Sequence, residues 1–298
     1  MLKSRLCIAF FAFAVGCAPA QKPLTDYVNP MLGTATLWDS VDLGFKPTKR
    51  TWGAEVFPGS SLPNAMVQVS PVTKFHSGAG YQYEDSVIYG FTHTNKGHWN
   101  LCHIPLLPVT GTPTPGDYCS PFSHERESAA PGYYQVFLDR YGVDAQLSST
   151  LRCAFHKYTY PAGAAPAVLA DLQRSNEHVR AWDIRKEGDN VFAGWQQTGE
   201  KMYFYAVANR PVTGIEPVVE GDREVRIVRF GEGDGALELR IGFSFVSEKN
   251  ARENLEAEML GKSFAEVRSE ATATWNDLLG RIRVEGGTER EKGLFYSS

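Results

Sequence analysis

From residue 132 to residue 246 the chain repeats one pattern, in which a short alternating or β-branched stretch is followed by a turn signal. Turn signals rich in Gly, Asp, Asn or Glu lie at residues 187–190, 199–200 and 231–235, and no helical period separates one stretch from the next. The predicted strands are residues 133–138, 143–160, 168–172, 179–185, 191–197, 202–209, 225–230 and 236–246. Strands this regular predict a mainly β fold, a large antiparallel β-sandwich.

Large aromatic side chains recur within these predicted strands. Such rings are most often buried between sheets, so we interpret them as core or inter-sheet packing rather than as ligand contacts. They are Phe155, Trp182, Trp195, Phe204 and Phe243.

The period changes at Ser247, where helical patterns replace the strands. Residues 248–260 and 263–282 are predicted helices, and Ser263 with Glu266 has the form of a capping box. An apolar stripe runs along the second helix and must pack against a sheet or a neighbouring domain. Its members are Phe264, Val267, Ala271, Trp275, Leu278 and Ile282.

After Gly286 and Gly287, Thr288 caps a further helix, which reaches about one turn before Ser298. A helix this short is not stable alone in water, so we expect it to be the first turn of a C-terminal helical domain. The predicted divisions are residues 1–21 as an export signal, 22–246 as the sandwich, 247–285 as a helical linker and 286–298 as the start of that domain.

The first residues have the pattern of an export signal. Lys3 and Arg5 form a basic start, residues 6–15 are apolar but too short to span a bilayer, and small residues follow. The segment before Cys17 also resembles a lipoprotein cleavage box, which would make Cys17 a lipid anchor; plain secretion is the alternative. We therefore expect a periplasmic, outer-membrane lipoprotein or extracellular protein with no transmembrane segment.

Charge and cysteine usage exclude several classes of partner. The 298 residues are 43% hydrophobic with a formal net charge of -4, which gives no electrostatic reason to expect a nucleic acid and favours a neutral ligand. Cys102, Cys119 and Cys153 remain after the signal, and their odd number and irregular spacing indicate neither a disulfide framework nor a zinc site. One pair, such as Cys102 with Cys119, could bridge in an oxidising compartment.

Residues 89–108 hold the densest cluster of polar and aromatic groups in the chain. His93, His98 and His103 occur there with Trp99 and Asn100, followed by an apolar Ile-Pro-Leu-Leu-Pro. Because binding groups concentrate on loops carried by a rigid scaffold, we interpret this segment as functional. The alternative is a buried connection whose polar groups are satisfied internally.

The chemistry of these residues suits sugar recognition better than catalysis. There is no Gly-x-Ser-x-Gly motif and no phosphate-binding glycine loop, and no pair of acids is marked as the acid and base of a glycosidase. Aromatic rings stack on the C–H faces of sugars, while Asn, His and backbone amides bind hydroxyls. Residues with these properties are Trp52, Phe57, His93, His98, Trp99 and Asn100, with Gly33 and Gly59 allowing close approach of the backbone.

Several of these motifs also resemble those of a known family. They are residues 26–34 (Asp-Tyr-Val-Asn-Pro-Met-Leu-Gly-Thr), 57–59 (Phe-Pro-Gly), 66–71 (Met-Val-Gln-Val-Ser-Pro), 89–94 (Tyr-Gly-Phe-Thr-His-Thr) and 284–288 (Val-Glu-Gly-Gly-Thr), with Phe295 and Tyr296. In this order the chain resembles the N-terminal part of glycoside hydrolase family 92, a family of exo-acting α-mannosidases, many of them specific for α-1,2 linkages.

The resemblance implies an N-terminal β-sandwich, a helical linker and a C-terminal (α/α)6 barrel, most of which would lie beyond Ser298. It implies an inverting mechanism with a glutamate acid, an aspartate base and a calcium ion (Ca2+). Those carboxylates and most Ca2+ ligands belong to the barrel, so no catalytic residue and no metal ligand is assigned in this chain. The partners would be mannose-containing glycans and the barrel itself.

The resemblance implies that this chain supplies one wall of the substrate cleft. The residues assigned to that wall are Gly33, Thr34, Phe57, Gly59, His93, His98, Trp99 and Asn100. The chain departs from the family pattern in two segments. The His-Trp-Asn-Leu-Cys segment at 98–102 puts the linkage preference in question, and the Ser-Ser-Leu-Pro-Asn segment at 60–64 does the same for the edge of the pocket. A non-catalytic carbohydrate-binding module and an inactive gene fragment remain as alternatives.

Overall fold

The computed structural model describes residues 22–37, 52–53, 55–96 and 100–298. Short 3-10 helices occur at Leu24–Tyr27 and His124–Arg126, and α-helices at Glu248–Glu258 (α1), Phe264–Leu279 (α2) and Glu289–Ser297 (α3). The short strands of the first part are β1 (Thr36–Leu37), β2 (Trp52–Gly53), β3 (Ser60–Ser61), β4 (Gln68–Val72), β5 (Val87–Ile88), β6 (Gly90–Thr92), β7 (Asn95–Lys96), β8 (Asn100–Leu101), β9 (Leu106–Val109) and β10 (Ser120–Pro121).

The longer strands follow without an intervening α-helix, as the repeated pattern predicts. They are β11 (Glu127–Ala130), β12 (Tyr133–Leu138), β13 (Val143–Ser149), β14 (Cys153–Thr159), β15 (Ala167–Ala170), β16 (Ala181–Gly188), β17 (Val191–Gln197), β18 (Lys201–Ala208), β19 (Val212–Glu220), β20 (Arg223–Phe230) and β21 (Leu237–Ser244). Strand β19 was not predicted, because it contains Pro217 and few buried positions. Both features are tolerated where β19 lies, at the edge of its sheet.

Two large antiparallel sheets are built from these strands within the described residues. The first sheet has eight strands in the order β11-β12-β13-β14-β21-β18-β17-β16, and the second has seven in the order β19-β20-β15-β9-β6-β4-β3. One continuous hydrophobic core contains buried residues from both sheets, such as Val136 and Tyr158 of the first and Val69 and Leu106 of the second. The predicted mainly β fold, with sheets stacked as a sandwich, is confirmed.

Strand β14 shows how the first sheet separates its two faces. Ala154 and Tyr158 belong to the core between the sheets, whereas Cys153 and Phe155 pack in a second cluster with Leu255 of α1. Successive side chains of a strand point to opposite faces, so this alternation places the helices on the outside of the first sheet.

Of the aromatic residues predicted to pack internally, Phe155, Phe204 and Phe243 are fully buried. Trp182 is half-buried and packs against the core. Trp195 differs. It is half-buried on the opposite face of the β16–β17 strand pair, at the edge of the first sheet, and the Lys201 ammonium lies 4.0 Å from the centre of its ring. The period-2 pattern gives the alternation but not which face is covered.

Helix α1 packs unusually close to the first sheet. A Cβ added to Gly242 in β21 would lie 2.1 Å from the Ala251 carbonyl oxygen, so glycine is required for this contact. Helix α2 begins with the predicted capping box of Ser263 and Glu266. The first part of its predicted stripe, including Phe264 and Val267, is buried, but Ile282 lies beyond the helix and is 66% exposed.

Helix α3 is longer than the predicted single turn, with nine residues. It packs against the N-terminal 3-10 helix, where the rings of Tyr27 and Tyr296 are 5.7 Å apart and the Asn29 amide donates to Ser297 Oγ over 2.9 Å. This contact supplies the stabilisation that so short a helix cannot provide itself.

All three cysteines of the described residues, Cys102, Cys119 and Cys153, are free thiols, so the possible Cys102–Cys119 bridge is not formed. Cys102 lies in the core, with its Sγ 3.6 Å from Asn95 Oδ1, whereas Cys119 is only half-buried. None of the helices in the described part of the chain combines the length and apolarity needed to cross a membrane.

Candidate functional site

The segment 89–108, singled out for its polar and aromatic residues, forms a small hairpin that projects from the second sheet. Strands β7 and β8 pair Asn95 with Leu101 and Lys96 with Asn100. The base is closed by the Cys102 amide, which donates to the Thr94 carbonyl over 2.9 Å, while the His93 amide donates to the His103 carbonyl over 3.0 Å. The sheet therefore carries this hairpin on a closed, hydrogen-bonded base.

The return side of the hairpin has an unusual backbone. Leu101, Cys102 and Ile104 have φ values of 64°, 61° and 54°. This left-handed region is costly for residues other than glycine, and most of all for a β-branched residue such as Ile104. Backbone strain of this kind persists only where surrounding contacts fix it, and it is concentrated at functional sites.

Three buried residues hold this strained backbone in place. Gln196 Oε1 accepts from the Ile104 amide over 2.8 Å. The Leu101 carbonyl accepts from the Ser175 hydroxyl at 2.6 Å and from the Asn176 amide at 2.9 Å. The hairpin is thereby attached to the loop 171–180, which connects β15 of the second sheet with β16 of the first.

His93, predicted to contact substrate, is instead part of the core. Its side chain is 0% exposed, its Nδ1 donates to the Ile104 carbonyl over 2.8 Å, and its Nε2 lies 2.9 Å from His156 Nε2. Burial lowers the pKa of His93 to about 3. Both ring nitrogens are occupied and the ring is inaccessible, so we correct the assignment of His93 from substrate contact to support of the hairpin base.

The other predicted residues of this segment are only partly covered by the structure. His98 and Trp99 lie outside the described residues, and for Asn100 the backbone is described as part of β8. Trp52 is likewise described by its backbone in β2, which pairs with β1. The predicted roles of these four side chains in sugar binding stay predictions.

Gly33 and Thr34 belong to a turn near the N-terminus. Gly33 has a φ of 87°, which favours glycine, and is exposed. The buried Thr34 hydroxyl donates to the Met31 carbonyl over 2.8 Å, and its own carbonyl accepts from the Tyr83 amide. Thr34 therefore satisfies its hydrogen bonds within the turn, and Gly33 is the member of the pair that a ligand could reach.

Phe57 and Gly59 line a different hollow from the hairpin. It has a volume of about 290 Å³ and includes Trp275 and Tyr296 from the helical region. A Cβ added to Gly59 would lie 2.2 Å from the Val69 carbonyl oxygen. The glycine is therefore required by the contact with β4, and nothing in its surroundings needs a ligand to explain it.

A hollow of about 480 Å³, with both polar and apolar side chains in its lining, lies at the base of the hairpin next to Leu101 and His103. His103 Nε2 lies 2.9 Å from Thr198 Oγ1, which donates to Glu177 Oε2 over 2.7 Å. Because the threonine hydroxyl donates its hydrogen bond to the carboxylate, its oxygen accepts from His103 Nε2, which carries the proton. In the neutral ring that burial favours, His103 Nδ1 accepts from the Thr94 hydroxyl at 2.8 Å. His103 is neutral in this arrangement.

Burial is the main cause that lowers the pKa of His103, and the Glu177 carboxylate opposes it. The Glu177 side chain is 33% exposed, and Arg180, His178 and Glu200 also line the hollow. These groups offer both donors and acceptors to the hydroxyls of a bound sugar. The arrangement is therefore suited to binding and orientation.

Glu177 and Arg180 were missed by the sequence analysis, which concentrated on residues 89–108. The signal that could have found them is the polar stretch Ser-Asn-Glu-His-Val-Arg at 175–180, which follows one predicted strand and runs into the next. Its position beside the hairpin depends on pairing between strands far apart in sequence. Propensity and periodicity do not report such pairing.

A metal ion would need several converging ligands. Across residues 22–37, 52–53, 55–96 and 100–298, no three His, Cys, Asp or Glu side chains come together as a metal site.

Comparison with known proteins accounts for nearly the whole described chain. The family model of the glycosyl hydrolase family 92 N-terminal domain matches residues 27–254, and that of the family 92 catalytic domain matches residues 250–298. The boundary between the two matches falls in α1. Helices α2 and α3 lie within the match to the catalytic domain, α1 spans the boundary, and the strands of both large sheets lie within the match to the N-terminal domain.

Individual relatives agree with these matches. The structure is similar to a family GH92 α-mannosidase from Bacteroides thetaiotaomicron, with a TM-score of 0.81 and 25% identity over 93% of this chain and 40% of that protein. That α-mannosidase has also been solved in complex with mannoimidazole. A family GH92 inverting mannosidase from Bacteroides thetaiotaomicron VPI-5482 has the same fold, with a TM-score of 0.79 at 24% identity, over 93% of this chain and 39% of that one.

By sequence, the chain is 24% identical over 314 aligned positions to a protein of Arthroderma benhamiae described as an uncharacterized secreted glycosidase. The alignment covers 88% of this chain and 38% of that protein. The chain therefore spans about two fifths of the length of the proteins that it matches.

Proposed function

This chain belongs to glycoside hydrolase family 92, and we propose that it is the sandwich part of an exported, calcium-dependent, inverting exo-α-mannosidase that prefers α-1,2 linkages. In this proposal the sandwich supplies one wall of the substrate cleft, and the catalytic acid and base lie in a C-terminal barrel. Mannose-containing glycans are the substrates.

The observation that carries the proposal is the continuous family match, which runs from the sandwich through α1 into the start of the catalytic domain. The similar α-mannosidase that has been captured with mannoimidazole supports mannose as the sugar. The described residues add a physical reason for a supporting role: they present a rigid hairpin and a hollow with polar side chains, and the sequence marks no pair of acids as catalytic.

The role proposed for the hairpin is to orient the substrate. Neutral His103 and the Glu177 carboxylate form a fixed polar floor, and Arg180 lies beside them with free donors. Trp99, which lies outside the described residues, is proposed as a ring that stacks on a sugar face. Preorganised groups of this kind lower the entropy lost on binding.

Hydrolysis of α-1,2-mannobiose by the full-length protein tests the main claim. Proton NMR should show β-mannose as the first product, because an inverting enzyme reverses the anomeric configuration. The 298-residue chain alone should release no mannose. Hydrolysis by this chain alone would contradict the assignment of the acid and base to a barrel.

Two further measurements address the finer parts of the proposal. Chelation with EDTA should abolish activity of the full-length protein, and added Ca2+ should restore it. Trp99→Ala should raise KM for mannobiose while leaving the melting temperature of the protein unchanged. A fall in melting temperature instead would assign Trp99 to the structure of the hairpin.

Export is proposed from the basic and apolar pattern of residues 1–21. The mature N-terminus, determined by mass spectrometry of protein expressed in a bacterial host, distinguishes its two forms. A diacylglyceryl group on Cys17 would show a lipoprotein, and a free N-terminus near residue 21 would show simple secretion.

A further inference from the structure

A cleft of about 1320 Å³ lies next to the hairpin base. Its walls come from residues 73–76, 84–89, 173–182 and 222–223. Pockets for one small molecule are usually about 300–1,000 Å³. The cleft is therefore large enough for an extended ligand, whereas the 480 Å³ hollow beside it suits a single sugar unit.

A buried carboxylate fixes two arginines at the wall of the cleft. The Asp171 side chain is 0% exposed, and its Oδ2 accepts from Arg223 Nη2 and from the Tyr118 hydroxyl, both at 2.6 Å. Arg174 Nε lies 3.6 Å from the same oxygen. The side chains of Arg174 and Arg223 are 31% and 30% exposed, so each still presents donors to the cleft.

Aromatic rings hold the Arg174 guanidinium on its other side. Its central carbon lies 5.3 Å from the ring centre of Tyr89 and 5.6 Å from that of Phe75. Arginine stacked on rings and paired with a carboxylate loses little further freedom when it binds a ligand. Phe75 and Trp182, both half-buried, line the same cleft.

The cleft and the small hollow share one wall. Glu177, His178 and Arg180 line both cavities. The loop that carries them is pinned on both sides: Asn176 Oδ1 accepts from the His76 amide at 2.7 Å, and Gln196 Nε2 donates to the Arg174 carbonyl over 2.9 Å. Because Gln196 also holds Ile104, the shared wall and the hairpin base form one rigid unit.

The charges of the cleft favour a neutral polar ligand over an anion. Its lining contains four cationic and four anionic side chains: Lys74, Arg174, Arg180 and Arg223, with Glu84, Asp85, Glu177 and Asp222. A ligand that matches alternating donors and acceptors together with half-buried rings has many hydroxyls and apolar C–H faces. Oligosaccharides have this chemistry.

We propose that this cleft binds the sugar units of a manno-oligosaccharide that follow its terminal unit, with Phe75 as a stacking ring and Arg174 and Arg180 as hydroxyl donors. The identity of the sugar rests on the proposed function. The location of the binding site rests on the cleft, its fixed arginines and the wall that it shares with the smaller hollow.

Titration calorimetry with the 298-residue chain tests this proposal without requiring hydrolysis. The probes are mannose and α-1,2-linked mannotetraose. The tetraose should bind more tightly than mannose, and Phe75→Ala should weaken its binding by about two- to tenfold, the range expected for loss of one ring contact. Affinity for mannose should not change.

Trp195→Ala is the matched control. In the β16–β17 pair, Trp182 lies opposite Gln196 and Trp195 lies opposite Asp183. Trp182 lines the cleft, so Trp195 points to the other face of this strand pair, away from the cleft. It should bind mannotetraose as the wild type does. If Phe75→Ala unfolds the chain, Arg174→Gln replaces it, since Arg174 lines the cleft but not the smaller hollow.

Equal affinity of the wild type for mannose and mannotetraose would overturn the proposal. So would a loss of mannotetraose affinity in the Trp195→Ala control as large as that in the Phe75→Ala variant. Failure of the proposed function would appear separately, as a full-length protein that binds mannotetraose but releases no mannose.

Discussion

His93 Nε2 and His156 Nε2 lie 2.9 Å apart inside the core of the sandwich, where His93 directly follows β6 of the second sheet and His156 belongs to β14 of the first. The Ile104 carbonyl accepts from His93 Nδ1, so neutral His93 has no proton on Nε2 and must accept there from His156. His156 Nδ1 then accepts from the Tyr158 hydroxyl at 2.5 Å. One arrangement of protons satisfies this whole series of hydrogen bonds, from the Tyr158 hydroxyl to the hairpin base.

This order exists only while both histidines are neutral, which predicts sensitivity to acid. Burial lowers the pKa of His93 to about 3 and that of His156 well below its usual value, with the neighbouring His93 as a second cause. The unfolded chain binds these protons near pH ~6.5 and the folded chain does not. The stability that the two neutral histidines contribute is therefore fully present above about pH 6.5 and is lost as the pH falls below it.

Each buried histidine should lower the free energy of unfolding by about 1.4 kcal/mol per pH unit below pH ~6.5. Urea denaturation between pH ~7 and ~5 measures this slope before most carboxylates titrate. His156→Gln keeps a donor towards His93 and removes one of three described histidines whose pKa burial lowers, so its slope should be smaller than that of the wild type by about 1.4 kcal/mol per pH unit. A flat profile in the wild type would contradict the neutral pair.

Gly59→Ala should destabilise the sandwich by at least about 2 kcal/mol, because the new Cβ would overlap the Val69 carbonyl oxygen and Ser70. Gly214→Ala is the control, since no atom lies within 4 Å of a Cβ there. Thermal and urea unfolding of both variants measure the difference. A variant of Gly59 that keeps full stability but loses affinity for mannose would restore Gly59 to the substrate site.

Gln196→Leu should detach the hairpin base from the loop 171–180. The change leaves the Ile104 amide and the carbonyls of Leu172 and Arg174 without their buried partner, at a cost of about 2–3 kcal/mol. Hydrogen exchange at the Ile104 amide should become faster, as its left-handed backbone loses its anchor.

Gln146→Leu is the control for this change, because Gln146 is half-buried and its amide contacts only the Asp144 carboxylate. Unchanged exchange at Ile104 in the Gln196 variant would show that other contacts hold the strained segment.

Asn276→Ala should release the N-terminal segment from α2. Asn276 Oδ1 accepts from the Thr25 amide at 3.0 Å, and its Nδ2 donates to Thr25 Oγ1 over 3.1 Å. Loss of both bonds should cost about 1–2 kcal/mol and speed limited proteolysis near the N-terminus. The Thr274→Ala variant, changed on the exposed side of the same helix, should be cleaved at the wild-type rate. Equal cleavage rates in the wild type and both variants would contradict the attachment of the N-terminal segment to α2.

Thiol alkylation should distinguish the three cysteines of the described residues. Burial raises the pKa of the Cys102 thiol to about 12 and also raises that of Cys153, so neither should react with iodoacetamide in the native protein. Cys119 is only half-buried and should be labelled first. Peptide mass spectrometry under non-reducing conditions shows which thiols have been alkylated. A disulfide-linked pair of peptides containing Cys102 and Cys119 would contradict the free thiols of this fold.

Most of the longer strands, the helices with their capping boxes and the family were predictable from sequence, although the predicted strand 143–160 forms two strands, β13 and β14. These features depend on residues near one another in the chain: Ser263 caps a helix through Glu266, and β14 alternates its faces at every residue. The prediction went wrong where packing decides. Ile282 continues the apolar period of α2 but lies past its end, and Pro217 concealed an edge strand.

The hairpin at residues 89–108 shows the same division. Its composition predicted a functional segment, and the structure gives it a rigid base beside two cavities. Only the fold distinguishes its histidines, because His93 meets a partner 63 residues away in the opposite sheet and His103 meets Thr198, 95 residues away.

The sequence by itself determined that this chain forms a β-sandwich with capped helices and belongs to glycoside hydrolase family 92, since local periodicity and ordered motifs carry that information. The tertiary structure decided which sheet each strand joins, that His93 supports the core, and that Glu177 and Arg180 stand between two cavities. The physical reason is that burial and hydrogen bonding are set by contacts between distant residues, which no local pattern records.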